Sequence, residues 1–346
     1  MKAVQYVGHG DRDVVVYDEY PEPDPDRDEV LVDVKAGALN HLDVWTRRGM
    51  PTLDLSFPHV PGSDAAGVVE ATGADVTRFE PGDRVAVSAG LSCGACEFCR
   101  DGDPTMCVNF RLLGEHVPGV HAERVAVPAA SLVPVPEGVD WAVAGSASLV
   151  FQTAWRMLVT RADLRPGESV LVLGASGGVG HAAVQVAAHA GAEVYATAGS
   201  EAKLDHARDC GADHVVNYET TDFASWVREA TDKRGVDVVV DHVGAATWRE
   251  SLKALAKGGR LVTCGATTGP NPETDVARIF GNQLSVIGST MGTPGEVDDA
   301  LARVWDGTFE PRVRGTLPMS ETARGHELLE RRQGFGKVVV VPDSEY

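Results

Sequence analysis

No apolar run in the sequence approaches the ~20 residues that span a bilayer, and the opening MKAVQYVGHGD has no apolar core of a secretory signal. A cytoplasmic location is the resulting expectation. Lysine is scarce: 7 lysines stand beside 24 arginines, against 28 aspartates and 22 glutamates, for a formal net charge of -19. A surface of that sign repels nucleic acid and anionic membrane, and argues against both as partners. Short hydrated carboxylates in place of long lysine stems resemble cytoplasmic proteins of salt-accumulating halophiles, where a Debye length of ~3 Å screens self-repulsion. A high-GC codon bias favouring arginine is the other reading. Cysteine is also rare, with 6 in 346 residues, yet four of the six crowd into one short stretch.

That stretch, CGACEFCRDGDPTMC, carries Cys93, Cys96, Cys99 and Cys107. The spacing suits one tetrahedral zinc with sulfur ligands at about 2.3 Å. Gly94, Gly102 and Pro104 suit the knuckles that let thiolates converge. Four thiolates fill the coordination shell, leaving no position for water or substrate, so the expected ion is structural. A disulfide pair is the alternative, and nothing else in the chain points to an oxidising compartment.

The length accommodates two domains. Residues 1 to about 140 read as short strands broken by proline and glycine: Lys2 to Tyr6, Asp13 to Glu19, Glu29 to Ala38, Gly67 to Thr72, Arg84 to Val87 and Glu123 to Val127. From about residue 145 strands and helices alternate, with apolar runs at Val170 to Leu173, Glu193 to Ala198, His214 to Val216, Val236 to Val240, Arg260 to Cys264 and Leu284 to Gly288. Such runs predict a parallel sheet buried on both faces, a doubly wound α/β domain. Beyond 290 come a helix from near Pro294, another from Glu321 to Arg332, and a last strand, Lys337 to Val341, expected to return to the first domain. The expected boundaries are 1–144 with 290–346, and 145–289.

After the strand ending at Leu173, GASGGVG (174–180) opens a helix. Small residues at Ala175, Gly177 and Gly180, with Gly178 and Val179 between, allow a tight turn and close approach of backbone to pyrophosphate. The next strand ends in Ala198, Gly199 and Ser200, with no carboxylate at its tip to accept from the ribose hydroxyls. Ser200 and Lys203 suit a 2′-phosphate, so NADP(H) is favoured over NAD(H). Ser200 also reads as an ordinary helix cap.

Together the cysteine knuckle, GASGGVG, PGSDAAGVVEATG (61–73) and PGDRV (81–85) resemble the zinc-containing medium-chain dehydrogenase/reductase superfamily, across essentially the whole chain. The resemblance implies a GroES-like catalytic domain plus a Rossmann domain, with the active site in the cleft between them. In the zinc alcohol dehydrogenases of that superfamily, a catalytic metal is held at positions that read here Asn40, Ser63 with Asp64, and Leu149, which are poor ligands or none. Leu42 stands where a hydroxyl would relay protons. ALNHLDVWTRRG is similar instead to the quinone oxidoreductase branch, where the asparagine sits beside the nicotinamide; this maps phosphate-binding roles onto Lys203 and Tyr218. The resemblance also puts Thr153, Val243, Gly244, Cys264, Gly265, Ala266 and Lys337 around the cofactor. It makes QLSVIGS (283–289) a pairing edge of a homodimer or homotetramer.

The implied activity is NADPH-dependent reduction of quinones or α,β-unsaturated carbonyls without a catalytic zinc. Asn40, His41 and water would stabilise the developing charge, oriented by Asp43 and Asp64. Asn40 also reads as a helix cap, and the two aspartates as buried structural acceptors. His41, His59, His116 and His121 with Asp64 or Glu115 offer ligands for a relocated metal, but their scatter favours isolated histidines. An alcohol dehydrogenase and a non-catalytic, crystallin-like NADP(H) sensor are the competing readings.

Overall fold

The computed structural model describes residues 1–51 and 53–346. They form two compact units, Met1–Leu149 with Thr293–Tyr346, and Val150–Gly292. The first junction lies inside the continuous helix Trp141–Trp155, a few residues beyond the change of texture near residue 145. No described helix is long and apolar enough to cross a membrane.

Val150–Gly292 holds six parallel strands in the order His214–Asn217, Glu193–Ala198, Ser169–Val172, Val236–Val240, Leu255–Thr263, Ser285–Gly288. Helices connect them, as parallel pairing demands, and the valine-rich central strands are almost wholly buried. Chain order reverses between Ser169–Val172 and Val236–Val240, the switch point at which such sheets bind nucleotides. The strand expected at 260–264 starts earlier, at Leu255. A register shift against Val236 and Val238 absorbs the Gly258–Gly259 pair that reads as a turn in sequence.

In the other unit, strands run in the order Val313–Pro318, Lys337–Val341, Glu29–Ala38, Ala65–Thr72, Arg84–Val87, Leu132–Pro134, and Arg124–Pro128 also pairs with Glu29–Ala38. Glu29–Ala38 alternates half-buried and buried residues until its last three, which are all buried, the pattern of a strand covered more fully at one end. Val313–Pro318 and Leu132–Pro134 were not foreseen; both are proline-ended and carry weak alternation.

Register decides what meets at that covered end. Lys337–Val341 runs antiparallel to Glu29–Ala38 with Val339 opposite Ala38 and Val340 opposite Gly37. The ladder continues with Leu39 N–H donating to the Val338 carbonyl at 2.9 Å, which brings Lys337 opposite Asn40. On the other side Gly37 faces Ala65, and Ala38 N–H donates to the Asp64 carbonyl at 3.2 Å. Residues 40, 64 and 337 thus gather at one end of three adjacent strands.

Candidate active site

Lys337, at 2 % exposure, heads a strand whose five residues are all buried. A buried ammonium is costly without partners. Lys337 Nζ donates to Asn40 Oδ1 and, at 2.9 Å, to Asp64 Oδ2. Asn40 Nδ2 also donates to Asp64 Oδ2, at 3.0 Å, and Leu149 N–H donates to Asp64 Oδ1 at 2.8 Å. The carboxylate therefore accepts three hydrogen bonds with no exposed surface. Sequence reasoning put Lys337 beside the cofactor; the structure commits its charge to Asn40 and Asp64, because strand register sets it there. One signal was available: a lysine, in a chain with seven, at the head of the apolar run KVVVV.

Asn40 is the N-cap residue of helix His41–Arg48, and Asp43 Oδ2 accepts the Asn40 N–H at 2.7 Å, the reciprocal bond of a capping box. Asp43 has no exposed surface, and burial pushes its carboxyl up to about 7, the Asn40 N–H and Lys337 pulling the other way. Tyr6 Oη donates to the Asp43 carbonyl at 3.0 Å. His41 opens the same helix, with its ring 6.3 Å from that of Trp45. Ser63 is turned away, Oγ donating to the Leu113 carbonyl at 2.7 Å. Asn40, Ser63 and Leu149 do not make a zinc site: an amide already bonded to an ammonium, a hydroxyl facing elsewhere and a hydrocarbon offer no ligand set.

The structure also places His121 here, a residue weighed in sequence as a metal ligand and read as an isolated histidine. Its ring wedges against the PGSD turn, where Gly62 has φ +103° and a Cβ would come within 2.4 Å of the imidazole. Burial holds His121 down to about 4 despite Asp64, so the ring is neutral. His59 Nε2 pairs with the Gly114 carbonyl at 3.1 Å, and His116 Nδ1 accepts from Leu112 N–H at 3.2 Å. These histidines do not converge on one point.

The cysteine lobe is different in kind. The Sγ atoms of Cys93, Cys96, Cys99 and Cys107 all lie within 4.8 Å of one another. Among the described residues no other group of three or more histidine, cysteine or carboxylate side chains gathers so closely. Cys96 and Cys99 sulfurs are 3.5 Å apart, as are those of Cys93 and Cys107, beyond the ~2.05 Å of a disulfide. Backbone N–H groups of Cys99 and Val108 pull the Cys96 thiol down to about 6, while desolvation and the Cys96 sulfur push Cys99 up to about 11. Four thiolates so close need a cation to ionise together, and a zinc dication fits that donor set.

In Val150–Gly292, the strand ends gather most of the residues expected around a dinucleotide. Gly174 turns with φ +58° and Gly177 caps the helix Gly178–His189. A Cβ on Gly180 would lie 2.1 Å from the Gly174 carbonyl, so only glycine lets helix and turn pack. Ala175 N–H donates to the Thr197 carbonyl at 2.9 Å, tying the turn to the neighbouring strand. Ser200 occupies the N-cap position of Glu201–Asp209 without a side-chain capping bond, and Lys203 lies in the first turn. The Tyr218 hydroxyl lies against Gly199, 2.8 Å from where a Cβ would be. At the next strand end Asp241, which sequence reasoning missed, accepts Val243 N–H at 2.9 Å, Gly244 N–H at 3.0 Å and the hydroxyls of Thr247 and Ser251. Cys264, Gly265 and Ala266 follow the strand Leu255–Thr263, and desolvation raises the half-buried Cys264 thiol to about 12, which keeps it protonated. Thr153 is buried in the helix Trp141–Trp155.

Residues 26–137 match the alcohol dehydrogenase GroES-like domain, and residues 178–306 match the zinc-binding dehydrogenase domain. An acryloyl-coenzyme A reductase of Metallosphaera sedula is 34% identical, over 98% of this chain and 99% of its own length. The chain belongs to the medium-chain dehydrogenase/reductase superfamily. This dehydrogenase/reductase is an oxidoreductase with a nicotinamide cofactor. It is also similar to a quinone oxidoreductase of Pseudomonas aeruginosa, 31% identical over 99% of each chain. A solved structure described as an NAD-dependent alcohol dehydrogenase is 44% identical, with a TM-score of 0.94 over 99% of each chain.

Proposed function

We propose that this oxidoreductase reduces α,β-unsaturated carbonyl compounds, enoyl thioesters among them, or quinones, using NADPH and no catalytic zinc. The observation that carries the reading is the Lys337 ammonium bonded to Asn40 and Asp64, at the positions the zinc alcohol dehydrogenases use for their metal. A single charge with fixed N–H donors stabilises less negative charge than a dication does. That suffices for an enolate or hydroquinone, whose charge is delocalised, better than for a localised alkoxide. When bound, the reduced dinucleotide supplies a hydride. Lys337 and Asn40 supply positive potential and N–H donors toward the acceptor oxygen, Asp64 fixes both, and His41 adds a donor at the start of the same helix. Two of the relatives named above carry conjugated acceptors in their names.

The turn at 174–180 would hold the pyrophosphate, and Ser200, Lys203 and Tyr218, with no acid at the strand tip, favour the 2′-phosphate of NADP(H). Cys93, Cys96, Cys99 and Cys107 would hold one structural zinc. The edge strand Ser285–Gly288, with exposed Val276, Phe280 and Val286 nearby, supports a homodimer or homotetramer.

The second reading, an NAD-dependent alcohol dehydrogenase, rests on the 44% identical structure. NADPH and NADH oxidation over a panel of enones, enoyl thioesters, quinones and aldehydes at high salt separates the two. The proposal expects the conjugated acceptors to exceed simple aldehydes in kcat/KM with NADPH. Faster alcohol–aldehyde interconversion with NADH would overturn it, and tight binding with no turnover would mark a sensor.

A further inference from the structure

One ammonium and two carboxylates share a single dry cluster around Asn40: Lys337, Asp64 and Asp43, all buried. Lys337 is hydrogen-bonded to Asp64 but not to Asp43. Asp64 has donors on both oxygens. Asp43 accepts the Asn40 N–H on Oδ2, and the Gly62 N–H also acts on its carboxylate, but its buried Oδ1 finds no hydrogen bond of good geometry among the described residues.

Lys337, at the head of its strand, and Asp64, just before Ala65–Thr72, act on Asp43 with opposite signs, and the Gly62 N–H favours its ionised form. Tyr6 bonds its carbonyl from the first strand, and burial, with Asp43 next, raises the Tyr6 hydroxyl far above its ordinary range, so it stays neutral. Arg47, one turn on along the helix, is spent on Glu330 and on His326 Nδ1, at 2.9 Å for the latter. Burial and Arg47 hold His326 at about 3, and His121 beside Asp64 is likewise neutral. No second cation is therefore directed at Asp43. Ionising both aspartates leaves the cluster one negative charge in excess, inside a medium that penalises it.

We propose that Asp43 is the proton store of this site, protonated while the acceptor is being reduced and left as a carboxylate afterwards. The inference rests on the conjugated-acceptor reading above. Reduction of an enone takes one hydride and one proton. The hydride forms the new C–H bond at the β-carbon, the π electrons move to the carbonyl oxygen, and a proton completes the product. Loss of that proton from Asp43 takes the cluster from neutral (Lys337 +1, Asp64 -1, Asp43 0) to -1. The change matches the single positive charge that hydride loss leaves on the dinucleotide, so the total charge is conserved. Leu42 occupies the position where the alcohol dehydrogenases place a relay hydroxyl, which leaves this proton without that route.

The test combines turnover with the dinucleotide-free protein. Wild-type kcat for an enone should fall above an inflection near 7, as Asp43 ionises. Asp43→Asn should abolish that inflection and lower kcat about 100-fold, with KM within about threefold. In the dinucleotide-free protein, folding raises the Asp43 value from about 4, so the folded state binds the extra proton between about 4 and 7. The Tm of wild type minus that of Asp43→Asn should accordingly decline as pH rises across this window and level off above it. A protonated-carboxyl infrared band of wild-type protein that titrates near 7 needs no variant and covers a failure of Asp43→Asn to fold. An inflection shared by both proteins, a flat Tm difference, or no such band would overturn the proposal. If no conjugated acceptor turns over, the functional reading fails while the Tm and infrared measurements still decide the Asp43 titration.

Discussion

The cysteine lobe and the Asn40–Asp64–Lys337 centre lie in the same unit, and the superfamily resemblance assigns a metal to both positions. Their chemistry diverges. The lobe brings four sulfurs within 4.8 Å on partly exposed loops. The centre brings an ammonium, an amide and a carboxylate together at 2–7 % exposure or less. Soft anionic ligands call for a cation from outside; the buried Asp64 carboxylate already has one in Lys337. The difference teaches that a poor ligand set is best read together with the side chains that pair with it.

Substitution at the centre should have the largest effect. Lys337→Met leaves Asp64 buried and unpaired, at a cost of about 3–5 kcal/mol, and should lower kcat/KM roughly 100- to 1000-fold. Adding Asp64→Asn removes the stranded charge, so thermal melts should recover while turnover stays low. If the double variant regains activity, Lys337 is a structural partner only and the contrast with the lobe collapses.

At the lobe, Cys96→Ser should release zinc and lower Tm by roughly 5–10 °C. Below that melt, kcat should stay within about threefold of wild type. A turnover loss as large as that of Lys337→Met would show the two regions to be one functional unit.

Away from both, Lys203→Ala should raise KM for NADPH about tenfold and leave NADH unchanged. The smallest expected effect comes from the -19 charge: Tm should climb between low salt and molar KCl as carboxylate repulsion is screened. That rise should be equal in wild type and in the Lys337 variant, because the buried centre is shielded from salt.

What could be read from the sequence follows the same divide. Cys93 to Cys107 are neighbours in the chain, so spacing alone brings them together. GASGGVG is equally local, a turn whose last glycine, Gly180, is required by a carbonyl 2.1 Å from a would-be Cβ. The parallel sheet was legible because strands buried on both faces read as valine runs. The centre depends on residues 40, 64 and 337, joined by the register of three strands, and on Leu149, brought in by the helix Trp141–Trp155. Poor zinc ligands at 40, 63 and 149 were visible; the pairing of Lys337 with Asn40 and Asp64 was not, because nothing local joins them. Asp241 was missed, and the place of His121 against the PGSD turn was not readable, for the same reason: their neighbours come from turns whose packing is set by the fold.

Metal content under zinc-replete conditions tests the central claim most directly. The account predicts about one zinc per chain, lost in Cys96→Ser and retained in Lys337→Met and Asp64→Asn. About two zinc ions per chain, one of them released by substitution at Asn40 or Asp64, would contradict it.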